Sequence, residues 1–188
     1  MELITMSKQP LTFALSRLET PIGVALIATD EQGRLRVLDW EDHRARMQRL
    51  LDRIYRKTGG VRLDAKTEAA WPVRDRLKAF FAGDLDAIDG IAVESAGTPF
   101  QRKVWAVLRK IPAGKTWTYT QLAARAGKPE AIRAAGAANG LNPISIVVPC
   151  HRVIGMDGSL TGYGGGLHRK EWLLTHEGAA LKAKARAA

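Results

Sequence analysis

The sequence predicts an α/β chain in two parts: a strand-led first half with two helices, then a mainly helical second half. Three observations carry this. Residues 11–18, 24–29 and 35–40 are short apolar runs separated by Thr20-Pro21-Ile22-Gly23 and Asp30-Glu31-Gln32-Gly33, which reads as an antiparallel meander with tight turns. From residue 42 the apolar spacing changes to that of a helix. In the second half, two short helical segments flank Gly127-Lys128-Pro129, the layout of a helix-turn-helix.

The elements follow in order. Residues 42–57 place Met47, Leu50, Leu51 and Ile54 on one helical face, and Gly59-Gly60 stops the helix. A second helix spans 71–81, with Leu77, Phe80 and Phe81 apolar and Gly83 just past its end. A loop fills 84–96. Residues 1–92 offer no chemistry; the arginines of the first helix read as a solvated face whose charge is cancelled by acidic neighbours. Thr98 is an N-cap with Pro99 at the first helical position, opening a helix to about residue 110 that buries Phe100, Val104, Val107 and Leu108. Pro112-Ala113-Gly114 ends it. Thr118 with Gln121 three residues on forms a capping box for a helix over 119–126. A third helix covers 130–139, and Gly140-Leu141-Asn142-Pro143 leads into a β-branched run from Ile144, read as a buried strand that ends at Pro149, just before Cys150. The glycine-rich loop 155–166 lacks the order and the lysine of a P-loop, so it is no nucleotide cradle. A last helix, 167–176, carries Glu171, and Gly178 closes it. The division that results is a first domain over 1–92, a second over 93–178 and a basic tail over 179–188.

Composition bounds the function. Hydrophobic content of 46% and charged content of 26% are ordinary for a globular chain. The single cysteine excludes an internal disulfide and any multi-cysteine zinc site, and suits a reducing compartment. Residues 1–10 contain no apolar signal segment, and no apolar run approaches membrane-span length, so a cytoplasmic chain without a membrane partner is expected. The net charge of +10 is unevenly placed. Residues 1–92 hold 15 Lys/Arg and 14 Asp/Glu, a net of +1; residues 93–188 hold 14 and 5, a net of +9. A polyanion is the natural partner of the second half. Its helix over 130–139 is thin for reading base edges in a major groove: apart from Ile132, Arg133 is its only long side chain beyond Glu130. Small residues let a helix backbone approach a surface closely. With one arginine projecting, that suits a minor groove.

The chemistry concentrates at Pro149-Cys150-His151-Arg152. A lone cysteine is most often a small buried hydrophobe. Here an apolar run delivers the thiol beside an imidazole and a guanidinium, and cations lower a thiol's pKa toward the reactive thiolate. Neighbouring side chains point apart in an extended strand. Cys150 and His151 therefore couple directly only if the chain bends after Pro149; otherwise a water must relay the proton.

These residues resemble the O6-alkylguanine-DNA alkyltransferases, or methylated-DNA–protein-cysteine methyltransferases, of the bacterial single-function type. The resemblance rests on Pro149-Cys150-His151-Arg152-Val153, Asn142-Pro143, Tyr163 with Gly165-Gly166, and Lys170-Glu171-Trp172-Leu173-Leu174. It implies a small N-terminal domain with an RNase-H-like sheet, then a helical domain with a winged helix-turn-helix. It implies that Cys150 takes the alkyl group from a flipped-out O6-alkylguanine, or O4-alkylthymine, once per molecule. His151 would be the base, Glu171 its orienter, and Asn142 a bridge between recognition helix and active site. Tyr119, Val148, Pro149, Tyr163 and Gly164 would line the base site. Thr118, Tyr119, Thr120, Gln121, Arg133, Ala134, Ala135, Gly136, Asn139 and Arg152 would contact duplex DNA through its minor groove, Arg133 filling the gap left by the flipped base. The protein would act as a monomer without a cofactor.

The sequence departs from some relatives. With no cysteine in residues 1–92, zinc binding there is not expected. Gly164 stands where some relatives have serine, which implies a wider pocket. Two other readings compete: a DNA-binding regulator with an inert thiol, and a cysteine hydrolase using Cys150, His151 and Glu171.

Overall fold

A computed structural model describes residues 9–65 and 71–181. The expected tail therefore lies outside the described residues from residue 182 onward. Strands β1 (Leu11–Thr20), β2 (Gly23–Thr29) and β3 (Leu35–Trp40) form the predicted meander. A strand that the sequence reading missed, β4 (Val61–Asp64), pairs parallel with β1 and gives the order β3-β2-β1-β4. Helix α1 (Arg44–Tyr55) makes the crossover between β3 and β4, and Gly59 ends the turn after it at φ 93°, a conformation that costs glycine little.

The inner strand β2 explains how the two halves meet. Its residues 25–29 are all buried, because both faces of the sheet are covered. Leu26 and Ala28 face α1 through Met47, Leu51 and Tyr55. Ala25 and Ile27 belong to the larger core cluster, which also holds Val104 and Leu108 from the second half. The core thus runs across residue 92, with helix α2 (Trp71–Phe81) contributing Val73, Leu77 and Phe80.

In the second half, Thr98 caps α3 (Pro99–Leu108) as predicted, and Gln101 adds the reciprocal bond of a capping box. A two-residue strand β5 (Trp117–Thr118) precedes α4 (Tyr119–Arg125), where Thr118 and Gln121 complete the second capping box. Helix α5 (Ile132–Gly140) follows and is anchored by the Trp105 indole, which donates to the Ala138 carbonyl at 2.9 Å. Strand β6 (Val153–Ile154) pairs parallel with β5, and α6 (Leu167–His176) closes the fold. No helix among the described residues is long and apolar enough to cross a membrane.

The strand predicted from Ile144 to Pro149 does not form. Ile144 makes one bridge to Leu38, with Leu38 N–H donating to Pro143 O and Ser145 N–H to Leu38 O. The chain then turns twice. Val147 N–H donates to Ser145 O around Ile146, which sits at φ 66°, and Cys150 N–H donates to Val148 O around Pro149 at φ −80°, ψ 65°. These are a γ-turn and an inverse γ-turn, each closed by a bond two residues back. A β-branched residue at positive φ is strained, by roughly 1–3 kcal/mol. Ile146 is held there because it is fully buried. The apolar run marked burial correctly; it did not mark extension.

Candidate active site

Cys150 leaves the second turn at the start of a single 3₁₀ turn, Cys150–Arg152, so the chain does bend after Pro149. Its thiol is 6% exposed. Asn142 holds the turn from inside: its amide donates to Val148 O at 2.7 Å, to Ile144 O at 3.2 Å and to Cys150 Sγ at 3.1 Å, while its oxygen accepts from Ile144 N–H. The Cys150 backbone has a second tie, from Asn139 of α5, whose amide donates to Cys150 O at 3.4 Å. Asn142 N–H in turn donates to Asn139 O at 3.3 Å, so α5 reaches the thiol through Asn139 and through Asn142, which grips the sulfur. Asn139 is buried, so its side chain is not on the surface that the sequence reading assigned to DNA.

His151 is fully buried, and one of its ring nitrogens, Nε2, bonds Glu177 Oε1 at 2.9 Å. The carboxylate that orients His151 is thus Glu177 and not Glu171. The reason is helical geometry. The buried Lys170 and Leu174 of α6 and Glu177 at its C-cap follow spacings of four and three residues and share a face, while Glu171 lies about 100° round the helix, half-buried. Glu177 also binds Arg152 through Nε at 2.9 Å and Nη2 at 2.8 Å. Arg152 in addition donates to the Ile111 carbonyl. It is buried and paired, which removes it from the expected DNA contacts. Gly114 permits this closure: a side chain there would stand 2.8 Å from the Glu177 carbonyl oxygen.

The electrostatics follow from burial. Desolvation raises the Cys150 thiol above its ordinary value and outweighs the Asn142 hydrogen bond and the charges of Lys170 and Arg46. The sequence expectation of a thiol lowered by its neighbours is thereby reversed in the resting protein. Burial likewise lowers the His151 pKa against the pull of Glu177, so the imidazole is neutral at pH 7. Burial alone would raise Glu177, but His151 and Arg152 hold it down at about 2. With Glu177 ionised, Nε2–H is the donor, and Nδ1 keeps its lone pair. Nδ1 is buried and makes no hydrogen bond to the protein. Lys170, absent from the predicted site residues, is fully buried, donates to Val153 O at 2.6 Å and Thr161 O at 2.7 Å, and is lowered by burial to about 8.

The remaining predicted residues divide into two groups. Tyr163 packs edge-on to His151 with ring centroids 6.5 Å apart, and burial raises its phenol. Tyr119 is half-buried and its hydroxyl accepts from Thr161 Oγ1 at 3.4 Å. Val148 and Pro149 are buried in the turn; Val148 faces a cavity of about 600 Å³ shared with Asn142 and Trp105, which neither Cys150 nor Tyr163 lines. On α5, Arg133, Ala134, Ala137 and Gly140 are exposed, one stripe of small residues with an arginine at its start. Thr120 and Gln121 are exposed on α4, and Thr118 is half-buried as its cap. Ala135 is fully buried and Gly136 faces the Tyr119 ring, so these two support the helix from within. The space at Gly164 is filled: a side chain there would stand 2.8 Å from Arg46 Nη1 and closer still to Cζ and Nη2. The expected widening of the pocket is corrected accordingly.

A free, buried thiol in a hydrogen-bonded cage thus stands beside an imidazole–carboxylate pair, tied to the second helix of the α4–α5 module. Residues 99–179 match the family model described as 6-O-methylguanine DNA methyltransferase, DNA binding domain. The methylated-DNA–protein-cysteine methyltransferase of Salmonella typhimurium is 53% identical over 165 residues, 88% of this chain and 95% of that protein. The Methanosarcina barkeri protein of the same name is 44% identical over 160 residues, 85% of this chain and 94% of that one. The crystal structure of Mycobacterium tuberculosis OGT in complex with DNA superimposes with a TM-score of 0.70 at 36% identity, covering 89% of this chain and 93% of that chain. The chain belongs to the methylated-DNA–protein-cysteine methyltransferase family.

Proposed function

We propose that this protein repairs alkylated DNA by direct reversal, taking the alkyl group from O6-alkylguanine, and from O4-alkylthymine, onto Cys150. The observation that carries the reading is the pairing of a caged thiol with a neutral imidazole whose second nitrogen is held by Glu177. The proton on Cys150 passes to His151 Nδ1, directly or through one water, and Glu177 stabilises the imidazolium that forms. The thiolate then attacks the alkyl carbon. The sulfur–carbon bond forms as the carbon–O6 bond breaks, and the electron pair leaves on the base, which takes up a proton to become guanine. Lys170 supplies the cation that balances the transient negative charge on sulfur.

The product is a thioether. Among the described residues no second cysteine is present to displace it, so each molecule reacts once. The target atom lies inside a duplex, so the base is extruded into the site. DNA is the partner, bound through α4 and the outer stripe of α5 in the minor groove, with Tyr119 pressing on the backbone and Arg133 entering the stack. The helix-turn-helix with the β5–β6 pair is the winged module of this reading.

Intact-mass analysis after incubation with duplex DNA containing O6-methylguanine tests it. One methyl group is expected per molecule, on the Cys150 peptide, and none in Cys150→Ser, which still binds DNA. A methyl group on any other residue, or repeated turnover on an ester or amide, overturns the reading. Slow reaction of Cys150 with ordinary thiol reagents does not argue for an inert thiol, since burial alone accounts for it.

A further inference from the structure

Arg46 belongs to α1, in the half of the chain where the sequence shows no chemistry, yet its side chain reaches the active-site face. Nη1 bonds Asp39 Oδ2 at 2.8 Å and Nη2 bonds the carbonyl of Gly140, the last residue of α5, at 2.9 Å. Asp39 is 1% exposed, so the ion pair is fixed from below by a buried carboxylate. The tethered guanidinium lies over Gly164, three of its atoms occupying the space of a side chain at that position. The Gly164 backbone is not in the left-handed region, so steric exclusion by Arg46 is what disfavours a side chain there. Tyr163, next in the chain, packs against His151. Arg46 therefore stands where the loop carrying Tyr163 and Gly164 meets the end of α5.

We propose that Arg46 is a specificity-determining residue: its guanidinium takes the place of a side chain at position 164 and sets the size of alkyl group that can lie beside Cys150. The inference rests on the proposed alkyl transfer and deepens it. A planar fork held at two points is a rigid wall, whereas a lysine would hold the Asp39 carboxylate as a point charge and leave the space over Gly164 unfilled. The charge of Arg46 has a separate effect. It favours the Cys150 thiolate while Asp39 opposes it. Size selection must therefore be tested with the charges balanced.

Two variants do this. Arg46→Lys keeps the ion pair and removes the fork; Arg46→Met combined with Asp39→Asn removes both charges together. Transfer rates are measured on free O6-methylguanine and free O6-benzylguanine, so that extrusion from DNA does not enter. The benzyl-to-methyl rate ratio is expected to rise by about tenfold in both variants, a size typical of changing a pocket wall by a few atoms. A geometric control uses Gly164→Ala, expected to lower the melting temperature in the wild-type background and much less in Arg46→Lys, since two groups competing for one space couple. An unchanged ratio in the folded variants overturns the specificity role, and equal destabilisation by Gly164→Ala in both backgrounds overturns the shared space. If the wild type accepts no alkyl group from either base, it is the alkyl-transfer reading that fails.

Discussion

The proton path turns on Glu177. Glu177→Gln keeps the shape but removes the charge that stabilises an imidazolium and neutralises Arg152. Transfer is expected to slow by roughly a hundredfold. Stability should fall by about 3–5 kcal/mol, because Arg152 stays buried without its partner. Glu171→Gln, one face away on the same helix, should leave the pH–rate profile of wild type in place. That profile, measured on free O6-benzylguanine, is expected to be bell-shaped. Its acid limb lies below 6.5, because the His151 pKa is lowered, and its alkaline limb near 8, where Lys170 loses its proton. An unshifted acid limb in Glu177→Gln would separate the carboxylate from the chemistry. The same groups predict acid unfolding. His151 is buried neutral, so stability falls as pH drops below 6.5 and the unfolded chain takes up the proton. Glu177 is depressed to about 2 from 4.5, so its contribution is present above 4.5 and lost between there and about 2. That loss is on the order of 3 kcal/mol by linkage. Urea midpoints against pH should show both steps in wild type and only the first in Glu177→Gln.

At the scale of elements, local signals were legible and tertiary ones were not. Thr98 caps ahead of Pro99, and Thr118 caps as its spacing to Gln121 indicates, because an N-cap is a contact among four consecutive residues. The 144–149 segment misled because β-branched residues mark burial as readily as extension, and the bonds that fold it into turns come from Asn142 and Leu38. Glu177 was open to detection, since it falls on the buried face of α6 three residues after Leu174. Arg46 was not: its partners at Asp39, Gly140 and Gly164 meet only once the sheet and α5 are assembled. Helix α5 carries its own prediction. Arg133 is exposed at the start of a stripe otherwise built of small residues, the placement of a wedge that occupies the gap of an extruded base. Arg133→Ala should react almost normally with free O6-benzylguanine and poorly with alkylated duplex, single-stranded DNA falling between, because unstacking costs a few kcal/mol. A wild-type single-turnover rate on saturating duplex would leave Arg133 as a phosphate contact only.

For the molecule as a whole, the +9 charge of the second half overstates what reaches DNA. Arg152 and Arg169 are buried and paired with Glu177 and Asp42, and Lys170 is enclosed by carbonyls. On α4, α5 and the turn between them the exposed cations are Arg125, Lys128 and Arg133, and the exposed Lys103 of α3 lies against the turn at Gly127. The Arg125 guanidinium lies over the Trp117 ring at 4.2 Å and the Lys128 ammonium over Phe100 at 5.9 Å, cation–π placements that hold both charges at the surface. If these four make the phosphate contacts, log affinity against log salt should have a slope of roughly −3 to −4, at about −0.9 per contact. Lys128→Gln should shallow that slope by roughly one contact and leave the saturated transfer rate unchanged, since Lys128 is exposed over the Phe100 ring and is no part of the hydrogen-bonded cage around Cys150. Arg152→Lys should act in the opposite way, lowering stability and transfer with no change of slope, because its charge never faces solvent. Fluorescence anisotropy on unmodified duplex between 50 and 200 mM salt, a range over which such slopes are read, measures both. A slope near zero, or one altered by Arg152→Lys and untouched by Lys128→Gln, would mean that the DNA surface is not the one formed by α4 and α5.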